Sequence, residues 1–403
     1  MSLALAALAS AQTFHTYIGE LGPDHVTIAW GTTAGDNTIG RSSPSFGAAK
    51  VSVGKQEFVV TDRNWAVVRG LDPDTEYDYE ITLNGRSLAK SKFRTWAAKA
   101  EKLRFFVIGD FGSGDSAQAR LAQAMAQEFQ RQQGSGNPVR FVITTGDNIY
   151  GQKFGLPYRS GDRDSDWSAK FFQPYAGLLA HIPFYPSLGN HDGNETEAQA
   201  DLPQYLDNFF VPGETGKGAR HYRFHYGGFV DFFALDSTKN TQKGGPYEPA
   251  FLGGGEQTTW LGKNLTEAKT AWKIPYFHHP PFNAGPGHGS SKGDLGHWMR
   301  MFEQAGVKVV FNGHEHNYQH SAVNSATGGV RYVVSGSGGE LRDRNVRGKM
   351  QAAEIEGWAP VNQFLSVEID GKEMRITPIG FKPFDVVDRT GKRIDMPLPV
   401  RLP

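Results

Sequence analysis

The chain has 403 residues, 38% of them hydrophobic and 21% charged, which is enough apolar material for about two or three folded domains and excludes a disordered or collagen-like chain. Lysine plus arginine balances aspartate plus glutamate at 42 each, so no global field exists to hold nucleic acid or an anionic membrane, and no nucleic acid partner is expected. Cysteine is absent, which excludes disulfides, thiolate zinc sites and cysteine nucleophiles and leaves His, Asp, Glu, Asn and Tyr as the available metal ligands.

In chain order, Leu3 to Leu8 is a short apolar run and Ala9-Ser10-Ala11 fits a small-residue cleavage site. Residues 1–11 therefore read as a signal peptide without its usual basic start, and imply a secreted or periplasmic protein. No other stretch approaches the roughly 18 apolar residues of a membrane span. Residues 12–98 read as all β. HVTIAW, AKVSV, QEFVVT, NWAVVRG, YDYEITL and AKSKFRT are rich in β-branched and aromatic residues, and turn clusters such as Thr32–Asn37 and Leu83-Asn84-Gly85 separate them. This density of short strands predicts a β-sandwich. The stretch Gly70 to Ile81, GLDPDTEYDYEI, resembles the turn before a late strand in fibronectin type III-like domains.

From residue 99 the pattern becomes α/β. The apolar run LRFFVIGD is followed by a helix over Ser116 to Gln133 and a second buried strand, VRFVITTGD. Further helices are predicted at Asp166–Leu179, Glu256–Lys269 and Asp294–Ala305, and further strands at IPFYPSL, GFVDFFAL, KIPYF, VKVVFNG and RYVVSGSG. The tail strands FLSVEID and KEMRITPI are of the kind that completes a second sheet. The polar loop Gln152–Asp166 reads as a surface segment beside the site.

Five of the apolar strands end in a short polar motif. These are Gly109-Asp110-Phe111-Gly112, Gly146-Asp147-Asn148-Ile149-Tyr150, Gly189-Asn190-His191-Asp192, His278-His279-Pro280 and Gly313-His314-Glu315-His316. Ligands of open α/β sheets bind outside the carboxyl ends of strands, so these residues should converge on one edge. Glycine before the polar residue suggests a sharp turn with no side chain in the way. Two Asp, one Asn, one Tyr and several His form a set of hard and intermediate donors, suited to two divalent or trivalent ions. A shared carboxylate holds such ions about 3.5–4 Å apart in two-metal hydrolases.

The ordered set GDxG, GDxxY, GNH, HxP and GHxH resembles the purple acid phosphatase branch of the metallophosphoesterases. The resemblance covers essentially the whole chain, since plant-type members carry an N-terminal β-sandwich. It implies an α/β catalytic domain over residues 99–403, with two mixed β-sheets sandwiched by helices, behind a fibronectin type III-like sandwich over residues 12–98. It implies that Asp110, Tyr150 and His316 bind a first metal, that Asn190, His278 and His314 bind a second, and that Asp147 bridges them. His191 and His288 resemble the family's substrate-facing histidines, although the spacing to His288 differs by about one residue from some members. A phenolate near neutral pH needs a strong cation, because a free phenol has a pKa of about 10. Tyr150 therefore points to Fe3+ at the first site, with Fe2+, Zn2+ or Mn2+ at the second. Three anionic ligands and one hydroxide against a trivalent and a divalent ion leave one positive charge, which attracts a phosphate ester. The implied activity is an acid phosphatase acting on small phosphate monoesters by in-line attack of a metal-bound hydroxide. His191 or His288 would assist the leaving oxygen, and the pH optimum should lie on the acid side. A phosphodiesterase or nucleotide hydrolase on the same ligands is the alternative, and a binding protein with an inert α/β domain is the reading from another class.

Other residues receive plainer readings. Asp192 and Glu315 orient ligands rather than bind metal. Neighbours on a strand face opposite ways, so only one of His278 and His279 should be a ligand, and the HxP spacing favours His278. His320 is a rim residue or a solvated loop histidine, and Asp236 satisfies backbone donors. Gly253–Gly255 and Gly336–Gly339 are not P-loops, since no GK[ST] follows. His15, His25, His181, His221, His225 and His297 have no motif context. Asn194 and Asn264 fit glycosylation acceptors. Plant-type members can dimerise through a disulfide, so any dimer here is noncovalent.

Overall fold

The computed structural model describes residues 14–32, 45, 47–151, 160–164, 166–193, 202–212, 219–239, 251 and 253–403. The leader-like segment 1–11, most of the loop 152–166 and Asn194 lie outside the described residues.

Residues 14–94 form seven strands: β1 (Phe14–Leu21), β2 (His25–Thr32), β3 (Ala49–Val53), β4 (Gln56–Val60), β5 (Trp65–Arg69), β6 (Glu76–Leu83) and β7 (Arg86–Arg94). They pair antiparallel in two sheets, β1-β2-β5 and β4-β3-β6-β7, a fibronectin type III-like sandwich. Alternation drives this packing. In β3, Ala49, Val51 and Val53 are buried while Lys50 points to water.

The second region contains β8 (Lys102–Ile108), β9 (Val139–Thr144), β10 (Phe184–Pro186), β11 (Tyr222–Tyr226), β12 (Val230–Ala234), β13 (Trp272–Tyr276), β14 (Val309–Asn312), β15 (Tyr318–Ser321), β16 (Arg331–Ser335), β17 (Ile355–Ala359), β18 (Gln363–Asp370), β19 (Glu373–Gly380), β20 (Val386–Val387), β21 (Arg393–Ile394) and β22 (Leu398–Arg401). A first mixed sheet has the order β10-β9-β8-β18-β19-β22, and a second has the order β11-β12-β13-β14-β16-β15-β17-β20-β21. The tail strands complete the first sheet: β18 lies antiparallel beside β8, from Leu365 opposite Val107 to Asp370 opposite Lys102.

The sheets meet through aromatic side chains, with Phe105 of β8 edge-on to Phe232 of β12 at 5.1 Å. Helix Ser116–Gln133 covers the first sheet with Leu121, Ala122, Met125 and Phe129. Asp115 caps it by accepting from the N–H groups of Ala117 and Gln118. On the outer face of the second sheet, helices Glu256–Glu267 and Lys292–Gln304 bury Leu261, Leu265, Leu295, Trp298 and Phe302 in a separate cluster. The helix expected over Asp166–Leu179 is broken into a five-residue wide turn, Ser168–Phe172, and a short helix, Ala176–Leu179. Pro174 between them has no N–H to continue the ladder.

The sandwich is firmly docked. Trp96 packs against Phe141, Tyr185, Phe224 and Tyr226 with ring centroids 5.4–6.2 Å apart. The Tyr17 hydroxyl donates to the Asn208 carbonyl at 2.8 Å, and the Tyr79 hydroxyl to the Ala180 carbonyl at 2.9 Å. Phe210 lies on Gly19, where any β-carbon would collide with it. The buried apolar residues on both sides form one continuous core. Among the described residues no helix is long and apolar enough to cross a membrane.

Candidate metal centre

The five motifs do not share one sheet edge. Those at Asp110, Asp147 and Asn190 follow β8, β9 and β10 of the first sheet, and those at His278 and His314 follow β13 and β14 of the second. They converge where the carboxyl ends of the two sheets meet. The turns are tight, though not chiefly at the glycines. Asp110, Asp147 and His314 themselves take positive φ, 56°, 49° and 69°, a region costly for residues with a β-carbon. The glycines make room instead. A β-carbon on Gly313 would stand 2.5 Å from Asp110 Oδ2, and one on Gly189 would collide with Asp147.

Two groups of donor atoms result. In the first, the Tyr150 hydroxyl lies 3.2 Å from Asp110 Oδ1 and 3.1 Å from His316 Nε2, which is itself 3.4 Å from Asp110 Oδ1. In the second, Asn190 Oδ1, His278 Nε2 and His314 Nδ1 stand 2.9–3.1 Å from one another. The His278 Nδ1–H donates to the Thr145 carbonyl at 2.8 Å, which leaves Nε2 facing Asn190 and His314 to carry either a proton or a cation. Lone pairs facing each other at such distances repel unless a cation or proton joins them. Asp147 stands between the groups. Its Oδ1 accepts from the His191 N–H at 2.8 Å, while among the described residues its buried Oδ2 has no hydrogen-bond partner and lies 3.4 Å from His278 Nε2. A buried carboxylate oxygen without a donor is costly unless it meets positive charge. The residues present thus fit a pair of bound cations.

The electrostatics agree. Burial, reinforced by Asp147, raises the Asp110 carboxyl well above its usual range, against the pull of His278. Burial would raise Asp147 too, but His278 and His191 hold it well below. Burial and then Asp110 and Asp147 push the Tyr150 phenol well up, so ionising it requires a cation. Burial opposes charge on His278, yet Asp147 and Asp110 outweigh it and push the imidazole up to about 10. Burial and then Arg342 hold both His288 and His316 down to about 4.

Every residue singled out in the motifs lies at or beside this point. The exposed His191 ring leans on Tyr150, centroids 4.7 Å apart. The half-buried His288 stacks on His314 at 3.8 Å. The expectation that His278 and His279 face opposite ways is corrected. The strand β13 ends at Tyr276, and both rings lie against His314, at 4.8 and 4.4 Å. His279 shares a 3.0 Å hydrogen bond with the Ser237 hydroxyl. His320 is neither a rim nor a solvated residue: it is buried in β15 and bonded to the Tyr318 hydroxyl. Buried Asp236 pairs with Arg220 at 2.8 Å and accepts from the Thr238 N–H.

Asp192 accepts from the N–H groups of Asn148, Ile149 and Gly189, which ties the Asp147 loop to the Asn190 loop. Glu315 accepts from the N–H groups of Gly287 and His288 and from the Asn283 amide, which pins the His288 loop. Sequence reasoning missed Arg342, Asn283 and Ser237. Each sits outside the motifs, and only folding brings it to the site. A cavity of about 370 Å³ opens beside the second donor group, bordered by Asn190, Ser237, His279, His288, Ser290 and His314.

The calcineurin-like phosphoesterase family matches residues 103–318, over half of the chain. The chain belongs to that family. Within it, the chain is 27% identical over 293 residues to purple acid phosphatase 3 of Arabidopsis thaliana, a match covering 68% of this chain and 73% of that protein. An uncharacterized protein of Mycobacterium tuberculosis is 24% identical over 332 residues, 76% of this chain but only 61% of the relative's own length. Among solved structures, PhoD superposes with a TM-score of 0.66 at 15% identity, covering 95% of this chain and 92% of PhoD. Purple acid phosphatase PPD1 from yellow lupin superposes with a TM-score of 0.64 at 15% identity, covering 95% and 74%. The superpositions span sandwich and α/β region together, so the two-part fold is shared.

Proposed function

We propose that this chain is a dinuclear metal-dependent acid phosphatase that hydrolyses phosphate monoesters. In this reading Asp110, Tyr150 and His316 hold one ion, Asn190, His278 and His314 hold the other, and Asp147 bridges them. The observation that carries it is the convergence of two donor groups on either side of the buried Asp147 carboxylate, whose Oδ2 lies 3.4 Å from His278 Nε2. Two cations held there would supply Lewis acidity toward the phosphoryl group and an acidified water. A trivalent iron on the Tyr150 side suits the phenol, which burial and two carboxylates otherwise keep protonated. The chain's own work is orientation and proton handling. Thr145 fixes the tautomer of His278, Asp192 and Glu315 hold the loops, and His191 and His288 flank the donors from opposite sides as partners for the leaving oxygen. The sandwich, residues 12–98, is a fixed part of the enzyme through its continuous core with the α/β region.

The test is elemental analysis and an absorption spectrum on protein expressed with iron, together with rates on p-nitrophenyl phosphate and its bis ester. About two metals per chain, a violet band and faster monoester hydrolysis on the acid side are expected. A metal-free chain without turnover would overturn the proposal, and faster diester hydrolysis would overturn its substrate class.

A further inference from the structure

Arg342 comes from the loop after β16, outside every motif, yet it packs against the His314–His316 turn and the loop that carries His288. Its backbone N–H donates to the His316 carbonyl at 2.7 Å, and its guanidinium lies over Gly287, where a β-carbon would stand 2.5 Å away. The side chain is 30% exposed, so the head reaches solvent between the His288 loop and the His314–His316 turn.

Its donors are scarcely used. Among the described residues the guanidinium makes one long bond, from Nη1 to the His314 carbonyl at 3.4 Å, and one ion pair, to Glu315 Oε1 at 3.5 Å. Glu315 is already bonded to Gly287, His288 and Asn283, so it steadies the guanidinium without consuming its fork. A guanidinium has five donors in a plane that matches two oxygens of one phosphate. Structural arginines usually spend these donors, whereas this one keeps most of them beside the turn that carries His314 and His316.

We infer that Arg342 is a specificity-determining residue whose guanidinium pairs with the phosphoryl oxygens of a dianionic monoester and so favours monoesters over diesters. This rests on the phosphatase reading above. A monoester carries one more negative charge than a diester and one more free oxygen to accept from a fixed donor. An added positive group outside the ligand set rewards that difference, while the diester's second substituent blocks one oxygen of the fork.

Arg342→Ala and Arg342→Lys would be compared with the unaltered chain by kcat/KM on p-nitrophenyl phosphate and bis(p-nitrophenyl) phosphate, and by inhibition with inorganic phosphate. Metal content and thermal midpoint serve as controls. Arg342→Ala should lower the monoester value by roughly 10–100-fold, weaken phosphate inhibition similarly and change the diester value by less than about threefold. Arg342→Lys, which keeps charge without the fork, should fall between. Equal losses on both esters would mean that Arg342 acts only through Glu315 and the His288 loop, and would overturn the inference, as would no loss on either. If Arg342→Ala does not fold, the same ratio in Arg342→Lys decides. An unaltered chain that turns over neither ester removes the phosphatase reading itself, a different result from an active chain indifferent to Arg342.

Discussion

The two sheets contribute unlike halves of the candidate metal centre. The ends of β8, β9 and β10 bring oxygen: Asp110, Asp147, Tyr150 and Asn190. The ends of β13 and β14 bring nitrogen: His278, His314 and His316. Neither sheet has a complete donor group, because the first needs His316 and the second needs Asn190. The centre therefore exists only where the sheets dock, and the carboxylates among the candidate ligands, Asp110 and Asp147, sit on one side of that junction. This division separates two jobs. The first sheet sets the charge of the site and, through the Thr145 carbonyl, orients the His278 ring, while the second supplies the imidazoles.

Substitutions on either side of the junction should break this division differently. The largest effect is expected for Asp147→Asn, which removes the bridging anion. Metal content should fall from about two per chain to one or none, and kcat/KM on p-nitrophenyl phosphate should drop by about a thousandfold or more, within the range lost when an electrostatic keystone is removed. His278→Ala, on the nitrogen side, should release one ion and leave the other on Asp110, Tyr150 and His316. Its activity loss should be smaller, roughly a hundredfold, and any violet band should survive.

Away from the junction, Trp96→Ala should cost about 3–5 kcal/mol of stability by denaturant unfolding, since its ring fills the seam between sandwich and α/β region. Unchanged metal content in the folded fraction would confine that effect to the seam. The smallest effect concerns acid. Burial lowers His15 at this seam to about 4 and, with Arg331, lowers buried His320 to about 3. An unfolded histidine titrates near 6.5. Both groups therefore contribute stability that is full above about pH 6.5 and fades as pH falls toward their folded values. The thermal midpoint should decline across that window, and His15→Gln should flatten the decline.

The convergence of the motif residues was largely legible in the sequence because they follow apolar strands in short glycine-marked turns. What escaped has physical causes. The alternation of His278 and His279 failed because their strand stops at Tyr276, before either residue. The burial of His320 was hidden because its strand is only four polar-looking residues long and is covered by β16 and β17 on its two edges. Strands β1, β11, β15 and β17 were not singled out, and the partners of the tail strands were not specified, since pairing partners far apart in sequence leave no local pattern. Pro174 does mark the break in the helix expected over Asp166–Leu179. Arg342 carries no local signal at all; its backbone N–H reaches the His316 carbonyl after the chain has run out through β15 and back through β16.

The most direct measurement is an anomalous difference map from crystals of the metal-loaded protein. Two peaks flanking Asp147 should appear, one in contact with Asp110, Tyr150 and His316, the other with Asn190, His278 and His314. A lone peak held by His278, His279 and His314, or density remote from Asp147, would contradict a shared-carboxylate centre assembled from both sheets.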